Sequence, residues 1–190
     1  MGENTIPGTN IVYEENDGMF SKFKPLINAT DGLTLGQVCS ITGLEASTIQ
    51  NWVKRKFVAR PIKKKYHERQ LARILLISSL RDAMKIDSIG ELMSIVNGNT
   101  NDEADDIITE ENMYDYFCKI SQTAKEREVN REEIAELVTE SLSDYDAAGA
   151  DSFRKLRDAL TVMVYAYIAS EYKKEAENML NEMRNQTEVQ

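Results

Sequence analysis

Seven segments of the chain repeat apolar residues at the spacing of an α-helix, and this pattern constrains the fold most strongly. They begin near Thr34, Glu45, Glu68, Asp87, Thr109, Asn130 and Asp151. Within each segment, apolar residues recur three and four positions apart, which places them on one helix face. No stretch alternates apolar and polar residues long enough to indicate a sheet. The sequence therefore predicts an all-α protein with a long last helix and at most a small β-ribbon at 57–66, where Pro61 interrupts the helical pattern.

Capping residues mark where several of these helices begin and end. Thr34 and Gln37 stand three apart, as in a capping box, where each side chain binds the other residue's backbone N–H. Gly43 is expected to end the first helix, and Asn97-Gly98 the fourth. The polar, acidic linker at 99–108 then separates an N-terminal arm (1–32) and a first helical domain (33–98) from a second helical domain (109–186).

Charge is distributed unevenly between these regions. The whole chain carries a net charge of −9, but Leu33–Val96 carries +6 and residues 97–190 carry −12. The overall acidity therefore hides a basic region, which favours an anionic partner such as nucleic acid.

Within domain 33–98, a helix, a glycine-containing turn and a second helix follow one another. This is the order found in helix-turn-helix proteins that bind DNA, whose second helix enters the major groove. In the second helix, about 45–56, Ile49, Trp52 and Val53 share one face, while polar and basic residues occupy the other. Gln and Asn side chains can bind an adenine edge through two hydrogen bonds. We therefore expect this helix to recognise double-stranded DNA.

A run of cations follows this helix. Between Lys54 and Arg69 the chain has eight Lys or Arg residues and one acidic residue, Glu68. Such a run suits a wing that contacts phosphates without sequence preference, although a lysine run is more often only a solvated surface. The predicted DNA-binding residues are Ser47, Thr48, Gln50, Asn51, Lys54, Arg55, Arg60, Lys63, Lys64, Lys65 and Tyr66.

Three features follow one another in this region: Asn51-Trp52-Val53-Lys54, then Pro61-Ile62-Lys63-Lys64-Lys65-Tyr66, and then a helix from Glu68. Together they resemble a bacterial family, domain of unknown function 1836. The resemblance covers about Leu33–Val96 and implies kinship, but the family has no settled activity.

More distantly, the same region resembles the DNA-binding domain of MerR-type regulators. Thr48-Ile49-Gln50-Asn51-Trp52 and Tyr66-His67 stand where those proteins have a recognition helix and the start of the helix after the wing. Gln50 stands where that family usually has Arg, and Lys56 where it often has Gly. The resemblance implies a winged helix-turn-helix domain and leaves the base contacts and the wing geometry open.

A chain with these features could have one of three functions. The first is a transcriptional regulator, and the second is a protein-interaction adaptor whose basic surface binds an acidic partner. The third, an enzyme, is not expected, because the sequence has no Gly-rich phosphate loop, no metal-ligand cluster and a single histidine, His67, expected to cap a helix. We predict no cofactor and no catalytic residue, and the sequence leaves any small-molecule effector open. We expect a cytoplasmic protein without a signal peptide or a membrane segment, with Cys39 and Cys118 as buried thiols.

The last helix is expected to make the protein a homodimer. Its apolar residues include Phe153, Leu156, Leu160, Met163, Val164, Tyr167 and Ile168, with Ala159, Val162, Ala166 and Ala169 extending the apolar surface around it. An apolar surface this wide is buried on several sides. The alternative is that the two preceding helices cover it within one chain.

Overall fold

Helices dominate the computed structural model, which describes residues 5–12, 19–98, 106–127, 129–130 and 132–188. The helices in this part of the chain are α1 (Lys24–Ala29), α2 (Leu35–Thr42), α3 (Ala46–Lys54), α4 (Glu68–Leu80), α5 (Ile86–Asn97), α6 (Glu110–Glu126), α7 (Ile134–Ser141) and α8 (Ala150–Glu188). A 3₁₀ turn, Phe20–Lys22, precedes α1. Strands β1 (Leu33–Thr34) and β2 (Lys65–Tyr66) pair antiparallel. The prediction of a mostly helical protein with a long last helix is confirmed. The small β element was expected within 57–66, whereas strand β2 of that segment pairs with β1 at Leu33–Thr34.

The capping residues occupy the helix ends predicted from the sequence. The Thr34 hydroxyl accepts the Gln37 N–H at 3.3 Å, and the Gln37 side chain accepts the Thr34 N–H at 2.8 Å. Gly43 follows α2 in the left-handed conformation, with φ +69°, and its N–H donates to the Cys39 carbonyl at 2.8 Å. The Thr109 hydroxyl accepts the Asn112 N–H at the start of α6. The sequence alone therefore predicts these helix ends correctly.

Helix α3 ends two residues earlier than predicted, at Lys54. The Phe57 N–H donates to the Trp52 carbonyl at 2.9 Å, and the Lys56 N–H donates to the Val53 carbonyl at 3.1 Å. Lys56 has φ +66°. These bonds form a Schellman motif, which satisfies the last carbonyls of the helix and turns the chain away from its axis.

Helix α4 lies at the centre of the core. Every residue from Leu71 to Ile77 is buried, because α4 packs against α2 and α5 as well as α6 and α8. Regions 33–98 and 109–186 thus contribute to one hydrophobic cluster. The division into two domains stays a prediction, and residues 99–105 of the proposed linker lie outside the described residues.

The N-terminal region, which was predicted from the sequence as an arm, packs on this core. Among its described residues, Ile6, Phe20, Phe23 and Ile27 are buried. The Tyr114 hydroxyl of α6 donates to the Pro7 carbonyl at 2.7 Å. This region is therefore anchored to α6 by apolar contacts and by a hydrogen bond.

Helix α8 has two different halves. In the first half, Leu156, Leu160, Met163 and Val164 are buried, because α4, α5, α6 and α7 pack against this helix. Helices of the same chain therefore cover much of the apolar surface that was expected at a dimer interface. From Tyr172 to Gln186, every residue is exposed. Among the described residues, no helix has the length and apolarity needed to cross a membrane.

Candidate nucleic-acid interface

Helix α3 buries one face and exposes the other, as its sequence pattern predicts. Ile49 and Trp52 are buried, whereas Ser47, Gln50, Asn51 and Lys54 are exposed, and Thr48 is half-buried. Gly43, Leu44 and Glu45 connect α2 to α3. The turn and the buried face orient the helix so that its polar side chains face solvent.

A tight hairpin follows α3. Ile62 and Lys65 exchange two backbone hydrogen bonds of 2.9 and 2.8 Å. The two residues between them, Lys63 and Lys64, have φ of +49° and +66°. Positive φ at both central positions is typical of a type I′ turn, in which Asn-Gly is preferred. A left-handed conformation costs a residue other than glycine about 1–2 kcal/mol. The turn therefore places the two exposed ammonium groups of Lys63 and Lys64 at its corner, and their backbone conformation lowers the stability of the fold.

Two of the predicted site residues hold the hairpin to the rest of the protein. Lys65 pairs with Thr34 of β1, and its ammonium group donates to the Thr30 carbonyl. Tyr66 is buried, and this burial, more than the nearby Cys39, raises the pKa of its hydroxyl. The DNA contacts predicted for Lys65 and Tyr66 therefore have less geometric support than those of the exposed residues.

Two arginines of the cation run form ion pairs with carboxylates. Arg55 lies 2.8 Å from Asp87 of α5, and its guanidinium lies 4.7 Å from the centroid of the Phe57 ring. Arg69 lies 3.2 Å from Asp106. The exposed cations of this run that form neither of these pairs are Lys54, Lys56, Arg60, Lys63 and Lys64.

The exposed end of α3 and the hairpin border one groove. Lys54, Arg60 and Ile62 line it, together with His67 at the start of α4. Gln70 of α4 holds two of its walls together, since its amide donates to the Arg60 carbonyl at 3.1 Å and its oxygen accepts the His67 N–H at 2.9 Å. His67 precedes α4 as its N-cap residue, in agreement with the predicted cap.

A buried ion pair between α4 and α6 was not predicted. Arg73 of α4 donates through Nε to the Phe57 carbonyl at 2.6 Å and through Nη1 to Glu110 of α6. The two charged side chains are only 3% and 0% exposed. Burial raises the pKa of Glu110, although Arg73 acts in the opposite direction. The sequence signal for this pair is Arg73 itself, a charged residue within the otherwise uncharged run Leu71–Ile77.

Gly90 of α5 leaves room for the Phe57 ring. A Cβ at Gly90 would lie 2.9 Å from that ring, whereas a Cβ at Gly36 of α2 would meet nothing within 4 Å. Replacing a helical Gly with Ala adds about 0.5–1 kcal/mol of stability, but overpacking costs about 1–3 kcal/mol. We therefore expect Gly90→Ala to lower the free energy of unfolding by about 1 kcal/mol and Gly36→Ala to raise it, as measured by urea denaturation. Equal stabilisation by both changes would show that Phe57 does not constrain position 90.

Comparison with known proteins agrees with the first resemblance. Residues 29–117 match the family described as Domain of unknown function (DUF1836). The chain is also 25% identical over 153 residues to "Uncharacterized protein YkrK" of Bacillus subtilis (strain 168), a match that covers 75% of this chain and 66% of that protein. The chain thus spans slightly less than two thirds of the length of this relative. No solved structure matches the chain. What these comparisons establish is a match of residues 29–117 to a family of unknown function and a distant relationship to YkrK.

Proposed function

We propose that this protein is a transcriptional regulator that binds double-stranded DNA, with α3 in the major groove and the hairpin on the phosphates. The observation that carries the proposal is the exposed polar face of α3, whose C-terminal end at Lys54 borders the same groove as Arg60 and Ile62 of the hairpin segment. A helix that contacts bases beside cations that contact phosphates is the arrangement that sequence-specific binding requires. Such a role would be performed in the cytoplasm.

The backbone after α3 supports the further proposal of a MerR-like winged helix-turn-helix. Lys56 stands where MerR-type proteins often have glycine, and its φ of +66° lies in the left-handed region that favours glycine. The hairpin that follows is short, but its strand β2 pairs with β1, directly before α2. Lys56 therefore differs from the MerR-type glycine in its side chain, but its backbone adopts a conformation that glycine favours.

The exposed cations support binding to a polyanion. Within the described part of the chain, no carboxylate forms an ion pair with Lys54, Arg60, Lys63 or Lys64. Cations without a protein partner are available to replace the counterions of DNA, and the release of those counterions drives association at low salt. An acidic protein could use the same cations, so the experiment must include base preference as well as salt dependence.

Replacing Lys63 and Lys64 together with Ala is expected to weaken binding to every duplex to a similar extent. Each phosphate contact contributes about 0.9 to the slope of log affinity against log salt concentration, so the slope should fall by up to about 1.8. Fluorescence anisotropy with random-sequence duplexes, over a series of salt concentrations, measures this slope.

Two further variants separate charge from turn geometry. Lys63→Asn with Lys64→Gly removes the same charges but suits the type I′ turn. In this variant the slope of log affinity against log salt concentration should fall as much as in the Ala variant, and the free energy of unfolding should rise. Lys119→Ala with Lys125→Ala removes two lysines from α6 and should leave the slope unchanged. An unchanged slope in both hairpin variants would remove the hairpin from the interface, and failure of the intact protein to bind any duplex at low salt would overturn the proposed function.

A further inference from the structure

The α8 helix carries a heptad repeat that continues beyond the body of the protein. Its apolar residues alternate between spacings of three and four, and we call this set the distal seam: Val162, Tyr165, Ala169, Tyr172, Ala176, Met179 and Met183. A repeat of 3.5 residues keeps one stripe facing a partner helix along a left-handed supercoil. A helix that only covers a globular core has no need of so regular a stripe.

From Ala169 onward the distal seam is exposed, on the side of α8 that faces away from the core, whereas Tyr165 near its start is half-buried against the core. Tyr172, Met179 and Met183 are 74%, 58% and 64% exposed, and Leu180 beside them is also exposed. The residues that α8 buries within the chain, including Leu160 and Met163, lie on roughly the opposite side of the helix at about 100° per residue. A second helix can therefore reach the seam without displacing α6 or α7.

The charges beside the seam distinguish between two orientations of a pair of α8 helices. Lys173 and Leu180 flank it on one side, and Glu175 and Glu182 flank it on the other. In an antiparallel pair the same flanks of the two copies meet, which would bring the glutamates together. In a parallel pair each glutamate instead faces the opposite flank of the other copy, five residues further along, so that Glu175 faces Leu180 and no two glutamates meet. The flanks therefore favour the parallel arrangement.

We propose that the occupant of the distal seam is the distal seam of a second copy, in a parallel coiled coil. The repeat is self-complementary, because Ala169 and Ala176 allow close approach while Tyr172 and Met179 provide the apolar area between them. This inference stands apart from DNA binding, but it adds a consequence: a two-fold pair would present two α3 helices to two half-sites.

Sedimentation equilibrium of the full chain, without DNA, tests the pairing. We expect a dimer at micromolar concentration. Met179→Glu would bury two like charges in the seam and should raise the dimer Kd by ~100-fold or more. Asn178→Glu introduces the same charge at an exposed position outside the seam and should leave the Kd within a few fold. A monomeric intact protein, a dimer that survives Met179→Glu, or equal loss in both variants would overturn the proposal. Circular dichroism spectra check that both variants remain folded.

Disulfide cross-linking tests the orientation. In a Cys39→Ser background, Ala169→Cys and Met183→Cys are made separately and oxidised. A parallel pair brings each new cysteine to its own counterpart, so both variants should form cross-linked dimers. Positions 169 and 183 lie about 21 Å apart along the helix. If an antiparallel pair brings position 169 of the two copies together, the two copies of position 183 are about 42 Å apart, and the converse holds when position 183 pairs. That distance is far beyond disulfide reach, so cross-linking of one variant or neither would overturn the parallel arrangement.

Discussion

Replacing Arg73 with methionine is expected to lower the free energy of unfolding by about 3–5 kcal/mol, because it leaves a buried carboxyl group without its cationic partner. Methionine retains much of the arginine's apolar stem, so the loss reports mainly on charge and hydrogen bonding. The change also removes the donor to the Phe57 carbonyl, which would leave a further polar group unsatisfied. Urea denaturation measures the change.

The loss of stability should depend on pH in a direction that identifies Glu110 as its source. Burial already raises the pKa of Glu110 in the intact protein, and Arg73 opposes this rise. Without Arg73 the pKa of folded Glu110 should rise further above that of the unfolded chain, so the folded state binds the proton more tightly. The stability associated with that proton is present at low pH and is lost as pH rises through the folded pKa. The variant should therefore be more strongly destabilised at pH 8 than at pH 5.

Two controls accompany this experiment. Arg73→Met with Glu110→Leu leaves neither charge buried and should recover much of the stability and lose the pH dependence. Arg81→Met removes an exposed arginine at the end of α4, whose pair with Asp82 spans 3.9 Å, and should change stability by no more than about 0.5 kcal/mol. A loss at Arg73 as small as that at Arg81 would contradict the assigned role of the buried pair.

Replacing Gln50 or Asn51 with Ala is expected to cost about 1–3 kcal/mol of binding free energy on the preferred duplex, and less on random DNA. Both side chains are exposed on α3, where an amide can donate to and accept from one adenine edge. Binding-site selection from random duplexes identifies the preferred site, and anisotropy on that site and on a scrambled one gives the two losses.

Asn178→Ala, an exposed amide on α8, is the matched control and should change neither affinity. Asn51 lies next to the buried Trp52, so the two positions are tested separately. Equal loss on the preferred and scrambled duplexes would reassign the residue to backbone contacts and remove it from base recognition.

The sequence by itself determined helices α2 to α8, several of their caps and the two faces of α3, but not α1, which lies in the predicted N-terminal arm. These features depend on residues three or four positions apart, such as Thr34 with Gln37 and Ile49 with Trp52, whose relationship is set by the helix geometry. The short range of these interactions explains why the mostly helical fold and the exposed face of the candidate recognition helix were predictable.

Only the tertiary structure decided which cations of the candidate site pair with carboxylates of the protein and which are exposed to bind an anionic partner. Arg55 and Arg69 belong to the same cation run as Lys63, yet Arg55 pairs with Asp87 and Arg69 pairs with Asp106. Arg69 and Asp106 are 37 positions apart in the sequence. The Arg73–Glu110 pair likewise joins residues 37 positions apart. The structure also decided how much of α8 is buried within one chain. Such partners meet through the packing of α4 against α5, α6 and α8, and a local sequence pattern does not encode how distant helices pack.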